Sequence, residues 1–265
     1  MRYVLVLSLV VGVRVAAAED AEPAPPGFTL LDRFDEDSRV GADVTYQTVV
    51  GNRYFVRGDV HAHYIDDRYH IGGYAQVQRW YSRRPTPTET ERYDGTGSPE
   101  LGLLYAMQPW TRTSLVLRAG VTLPTVEESG TYMGVNAQVN RPTDLFQHRP
   151  GGSIRLSASS ITHAGAWFGR VDVGIDQVFM QHYDHDARTG VRGNLGAGYD
   201  LERAAIMAEV STLTVRTNGE LEMVPSGALS VRGKLGRVQP YACVSLPVFA
   251  SYYDWAAMLG ADVSL

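Results

Sequence analysis

From Arg39 onward, apolar and polar residues alternate with a period of two nearly to the end of the chain. Val40, Ala42, Val44, Tyr46, Thr48 and Val50 interleave with Gly41, Asp43, Thr45 and Gln47. Tyr54, Val56, Gly58, Val60, Ala62 and Tyr64 interleave with Arg57, Asp59, His61 and His63. In a third run, Tyr69, Ile71, Ala75 and Val77 oppose His70, Gln76 and Gln78. A period of two places successive side chains on opposite faces of a strand. Similar runs begin near Leu101, Thr113, Ile154, Trp167, Val191, Ile206, Leu229, Val238 and Trp255. Together they predict about 12 strands of roughly ten residues, the length a tilted membrane strand needs. The expected fold is all-β, a transmembrane antiparallel up-and-down β-barrel over residues 39–265.

The connections alternate in length. Short turns are expected at Asp66–Asp67, Pro109–Trp110, His163–Ala164, Asp200–Glu202 and Gly236–Arg237, and long loops near 82–98, 124–151, 180–190 and 216–224. The first hairpin, at Gly51–Asn52, and the last, at Ser251 to Asp254, are short exceptions. Short turns on the periplasmic side and longer external loops are the habit of outer-membrane barrels. In that topology Tyr64, Tyr69, Tyr105, Trp167 and Tyr199 form a periplasmic aromatic belt, and Tyr54, Tyr81, Phe179 and Trp255 an outer one. A water-soluble β-sandwich or lipocalin-like barrel would hide the apolar face instead of showing it. The apolar faces are longer than the five or six residues typical of soluble strands, and their large aromatics gather at the strand ends. Both features point to lipid.

Ahead of the strands lie two short segments. Residues 1–18 have a minimal basic start at Arg2, an apolar stretch from Tyr3 to Val13 and small residues at Ala16–Ala18, the pattern of a signal peptide. Residues 19–38 are acidic and proline-rich, as expected of a periplasmic tail.

The 24 Lys and Arg against 29 Asp and Glu give no nucleic-acid footprint. Cys243 is the only cysteine, which excludes an intramolecular disulfide or a multi-cysteine zinc site.

The polar face is the candidate site. It carries Asp43 on the first strand and Arg57, Asp59, His61 and His63 on the second, with His70 leading into the third. Glu100, Arg118 and Arg155 follow, then Arg170, Asp172 and Asp176 on one strand. Arg192, Asp200, Glu209, Arg232 and Asp262 complete the set, with Lys234 beside them. These residues are expected to line the lumen, either as an ion-pair lattice that fills it or as charged rings that select solutes. His61, His63 and His70 share one face, but no carboxylate partner can be fixed from sequence, so neither a metal nor a cofactor is assigned. His182-Tyr183-Asp184-His185-Asp186 falls in an external loop.

Two resemblances follow. The amphipathic run from Trp255 to Leu265 resembles the terminal signal of bacterial outer-membrane proteins, with Leu265 where Phe is usual. It implies engagement of the barrel-assembly machinery. The segment Pro99-Glu100-Leu101-Gly102-Leu103-Leu104-Tyr105, continuing through Leu115 to Leu123-Pro124-Thr125, resembles the putative transporters of the phenol meta-degradation type. That resemblance covers about a tenth of the chain and implies a pore or small-molecule transporter. Outer-membrane phospholipases set His close to a Ser-Asn-Gly run; His163-Ala164-Gly165 and His185–Gly190 lack the serine. Asp184-His185 is the only local candidate for an omptin-type pair.

The expectation is a cell-outer-membrane barrel acting as a passive channel or small-molecule transporter. The alternatives are a structural or adhesive protein with a closed lumen and, third, a lipid-active enzyme. Expected partners are membrane lipid and lipopolysaccharide, the assembly machinery and a small solute.

Overall fold

A strand whose two faces meet different solvents keeps its register, because a slip of one residue would turn every side chain to the wrong side. The alternating runs accordingly appear as strands in the computed structural model, which describes residues 34–35, 37–49, 53–85, 90–125, 152–179, 189–217, 220–248 and 253–265. There are thirteen: β1 (Arg39–Val49), β2 (Arg53–Ile65), β3 (Ile71–Pro85), β4 (Thr90–Thr96), β5 (Glu100–Trp110), β6 (Thr113–Thr122), β7 (Gly152–Ala164), β8 (Trp167–Phe179), β9 (Thr189–Asp200), β10 (Ala204–Thr217), β11 (Glu220–Gly233), β12 (Val238–Pro247) and β13 (Trp255–Ser264). No helix occurs among the described residues.

Apart from β4 and β5, which both pair with β3, each strand pairs antiparallel with its neighbour in sequence, and β13 pairs back onto β1, from Arg39 opposite Ser264 to Thr48 opposite Trp255. The sheet is therefore a closed barrel. It has twelve staves, because β4 and β5 occupy one position. β4 pairs with the upper part of β3 (Arg79 opposite Thr96) and β5 with the lower part (Gln76 opposite Glu100). Gly97, Ser98 and Pro99 lie between them. Closure leaves the wall from β5 round through β13 and β1 to the lower part of β3 without an open edge, a requirement for strands in a bilayer, while β4, among the described residues, pairs with β3 alone.

Tight turns gather at one end, where β1 begins and β13 ends. Two of them are made possible by glycine in the left-handed region, Gly165 (φ 65°) and Gly236 (φ 62°). Two reversals fall slightly beyond their expected places, at Thr111–Arg112 and Gly165–Ala166. Two stretches expected as long loops are strands. The 82–98 region is the β3–β4 hairpin, and 216–224 is the junction of β10 and β11, paired from Ala204–Gly233 up to Thr217–Glu220. Residues 126–151 and 180–188 fall outside the described residues, as does the His182–Asp186 cluster.

Outward positions are apolar and exposed: Leu103 (65%), Val173 (57%) and Leu195 (59%) are representative of the middle of the wall. The aromatic belts fall where the pattern put them, with Trp167 edge-on to Tyr199 at 4.9 Å and Tyr46 stacked on Tyr54 at 5.8 Å. This is a protein with its apolar surface outside. In water each such side chain would forfeit about 1.5–3 kcal/mol of burial, so the exterior is stable only against lipid.

Candidate functional site, the charged lumen

Alternation that sends Leu103 and Val173 outward sends their neighbours inward. Of the inward residues named from sequence, all but His70, Asp200 and Lys234 are buried. His70 is a correction. It is exposed in the β2–β3 turn with φ 57° and does not line the lumen. Its N–H donates to the Asp66 carbonyl oxygen, so the strand period does not extend through it. Asp200, at the tight-turn end of β9, is half-buried and ion-paired with Lys234.

The lumen is organised as a lattice of charge-assisted bonds. One group from each of five neighbouring strands forms a continuous string: Arg118 (β6), Glu100 (β5), Arg155 (β7), Asp176 (β8) and Arg192 (β9). Arg118 pairs with Glu100 Oε1. Arg155 joins Glu100 Oε2 at 3.0 Å and Asp176 Oδ1 at 2.8 Å. Arg192 closes on Asp176 Oδ2 at 2.7 Å. Tyr74 adds its hydroxyl to Glu100 at 2.6 Å. Its ring passes so close to β6 that a Cβ on Gly120 would stand 1.7 Å from its oxygen, so only glycine fits there. Nearer the tight-turn end, Arg170 donates to Asp172 (2.6 Å) and Ser159 (2.9 Å), and Asn194 reaches Asp172 at 3.4 Å.

Across the closing seam lies a second cluster. His61 sets Nδ1 3.4 Å from Asp59 and Nε2 3.1 Å from Asp262, which is also paired with Arg232. Gln76 donates to Asp59 at 3.0 Å and Tyr241 to Asp43 at 3.1 Å. Asp43, Asp59 and His61 bring three potential ligand atoms within 4.8 Å of one another. The same atoms serve the lattice, and a cation there would have to compete with Gln76, Tyr241 and Asp262 for them. Ser230 donates to Glu209 (2.9 Å), and Arg57 donates to Thr45 (3.0 Å).

Two further layers were not read from sequence. At the end away from the tight turns, Phe55 and Trp80 face inward (centroids 6.5 Å apart), as do Val178, Leu213, Val215, Tyr253 and Ala256. Apolar residues on both faces of a strand break the alternation that marks the other lumen positions. At the tight-turn end, Phe34 and Asp35, from the segment read as a tail, sit in the lumen mouth. The Phe34 ring lies 4.4 Å from Tyr74 and 5.3 Å from His63, with the Arg118 guanidinium 4.4 Å over it. Its carbonyl oxygen accepts from Arg170 at 3.1 Å. Asp35 pairs with Arg39 (3.2 Å) and His63 (3.4 Å). Burial alone would push the Asp35 carboxyl up. Arg39 and the His63 hydrogen bond outweigh it and hold the group at about 2. The one signal for this segment in the sequence is an aromatic residue followed by acids immediately before the first strand.

No protein-family model matches the sequence, and no curated protein is detectably similar to it in sequence. Solved structures do match. The NanC porin superposes with a TM-score of 0.58 at 8% identity, over 85% of this chain and all of that one. The β domain of the Bordetella autotransporter BrkA gives 0.50 at 12% identity, over 87% of this chain and all of that one. Outer membrane phospholipase A from Escherichia coli gives 0.46 at 12%, over 86% and 96%. At such identities the likeness is one of fold. A closed antiparallel barrel with a lipid-facing exterior defines the class, a transmembrane β-barrel of the outer-membrane type. That class locates the chain in the bacterial outer membrane.

Proposed function

We propose that the protein is a closed outer-membrane barrel, a membrane-seated scaffold whose work is done at its exposed ends and not through its bore. The observation that carries this reading is the string from Arg118 to Arg192, whose five members are at most 6% exposed. Charges lining an aqueous channel stay wet; here guanidinium and carboxylate groups are ion-paired with one another. The apolar layer around Phe55 and Trp80 and the Phe34–Asp35 segment add a seal on either side of the string. Single-channel recording in planar bilayers tests it. Folded wild-type protein is expected to give no conductance steps, and steady, reproducible steps would overturn the reading.

A passive channel or small-molecule transporter is the second reading. It is favoured by one feature: the seal at the tight-turn end is a segment of chain that is not part of the wall. On that reading the combined substitutions Phe34→Ala and Asp35→Asn convert a silent barrel into a conducting one. On the first reading they leave it silent, because the central string remains.

A further inference from the structure

The β3–β4 hairpin continues the wall beyond the outer aromatic belt and carries a row of outward cations. Arg83 and Arg92 face each other directly across the two strands, and Tyr54 flanks Arg83 on the β2 side. Both arginines are exposed. Like charges in directly opposed positions of a sheet repel each other, and among the described residues no carboxylate is bonded to either. The neighbouring outward pair is compensated, since Arg79 meets Asp94 at 3.2 Å. Arg84, on the other face, meets Glu91 at 3.8 Å. Among the described residues of the hairpin, the excess positive charge is therefore localised on Arg83 and Arg92.

Their height gives the ligand. Tyr81, two residues below Arg83 on the same face, belongs to the outer aromatic belt. Below it, past the Arg79–Asp94 ion pair, the same face turns apolar at Val77 and Ala75, opposite Val60 and Ala62. A molecule that met this surface would place an anion between two guanidinium groups and lay hydrocarbon along the strands beneath. Paired planar guanidinium groups match phosphate oxygens bidentately.

We propose that Arg83 and Arg92 form a binding site for the phosphorylated sugar headgroup of an outer-leaflet glycolipid, whose acyl chains pack on the β2–β3 exterior below. The site needs the end of the barrel opposite the tight turns to face outward, the usual orientation for this class. It does not depend on whether the lumen conducts.

Native mass spectrometry of the detergent-solubilised barrel tests the site, with bisphosphorylated lipid A as the probe. Wild-type protein is expected to retain lipid A about tenfold better than the Arg83→Gln/Arg92→Gln double variant. Dephosphorylated lipid A should bind both proteins equally weakly, and inorganic phosphate should not displace the glycolipid. Arg79→Gln, which removes a compensated cation, should retain the wild-type level. The Arg83→Lys/Arg92→Lys variant keeps the charge and should fall between wild type and the glutamine variant. Heat-modifiable gel mobility confirms that each variant is folded. Equal retention of lipid A by wild type and a folded double glutamine variant would overturn the proposal. Displacement by inorganic phosphate would also overturn it, since the site would then take free anions and not lipid.

Discussion

Glu100 is the residue on which the lattice can be tested most sharply. Its carboxylate takes Arg118 on one oxygen and Arg155 on the other, and Tyr74 donates to the first. The string it belongs to has three cations and two anions. Glu100→Gln leaves Arg118, Arg155 and Arg192 to share Asp176 alone. Arg155→Gln instead leaves two cations and two anions: Glu100 keeps Arg118, and Asp176 keeps Arg192. Both substitutions remove one fully buried charge of similar reach, yet they differ in what they strand. Breaking a buried pair so that a charge is left uncompensated costs about 3–5 kcal/mol. That range is expected for Glu100→Gln, and a clearly smaller cost, about 1–2 kcal/mol, for Arg155→Gln, whose remaining partners each keep an opposite charge. Urea titration of the barrel refolded into lipid vesicles, followed by the gel-mobility difference between folded and unfolded forms, measures both. If Arg155→Gln proves as costly as Glu100→Gln, the string does not act as a charge-balanced unit and the reasoning fails.

Two other expectations use the same unfolding measurement or a simple variant of it. Val173 lies outward near mid-wall at 57% exposure. Val173→Arg should cost about 2–4 kcal/mol in vesicles, where a water-facing position would tolerate it within about 0.5 kcal/mol; a neutral outcome would contradict the lipid-facing assignment. The Asp35 carboxyl is held below its ordinary value of 3.8, at about 2, so its contribution is complete above pH 3.8 and disappears as pH falls toward 2. The seating of Phe34–Asp35 should therefore weaken by about 2 kcal/mol across that window. Pepsin cleavage at Phe34 should appear near pH 2 and be absent at pH 4, with cleavage at both values counting against the seat.

What could be read from sequence follows the two solvents. Where a strand separates lipid from a polar interior, as in β1, β2 and β8, each residue's side was legible from parity. Parity failed where that contrast ends. His70 continues the alternation of β3 by one step but lies past the strand, in a turn. Arg83–Pro85 and Glu91–Asp94 read as part of a loop because above the lipid both faces of these strands are open to water, and no apolar stripe is needed to hold their register. Phe55, Trp80 and Leu213 were invisible as lumen residues because an apolar side chain inside the barrel looks like one outside it. The fit of Tyr74 against Gly120 joins residues far apart in sequence, and no local pattern encodes it. Asp35 was legible as an acid but not as a ligand of Arg39, because its role depends on the chain turning back into the mouth before β1.

Closure of the barrel through β1 and β13 has a bearing on how the chain folds. Most of the other pairings join strands adjacent in sequence, so a growing meander can add staves one at a time through short-range hairpins, a cheap route in loop entropy. The seam from Arg39–Ser264 to Thr48–Trp255 is different, because it unites the first and last strands. It also completes the His61–Asp262 bond, and the N–H of Leu265 then meets the carbonyl of Ser38. Pairing so distant in sequence is intrinsically slow, so the seam is expected to zip last. Until it does, β1 and β13 are open edges, and the interval before closure is when the chain is most exposed to pairing with a neighbour.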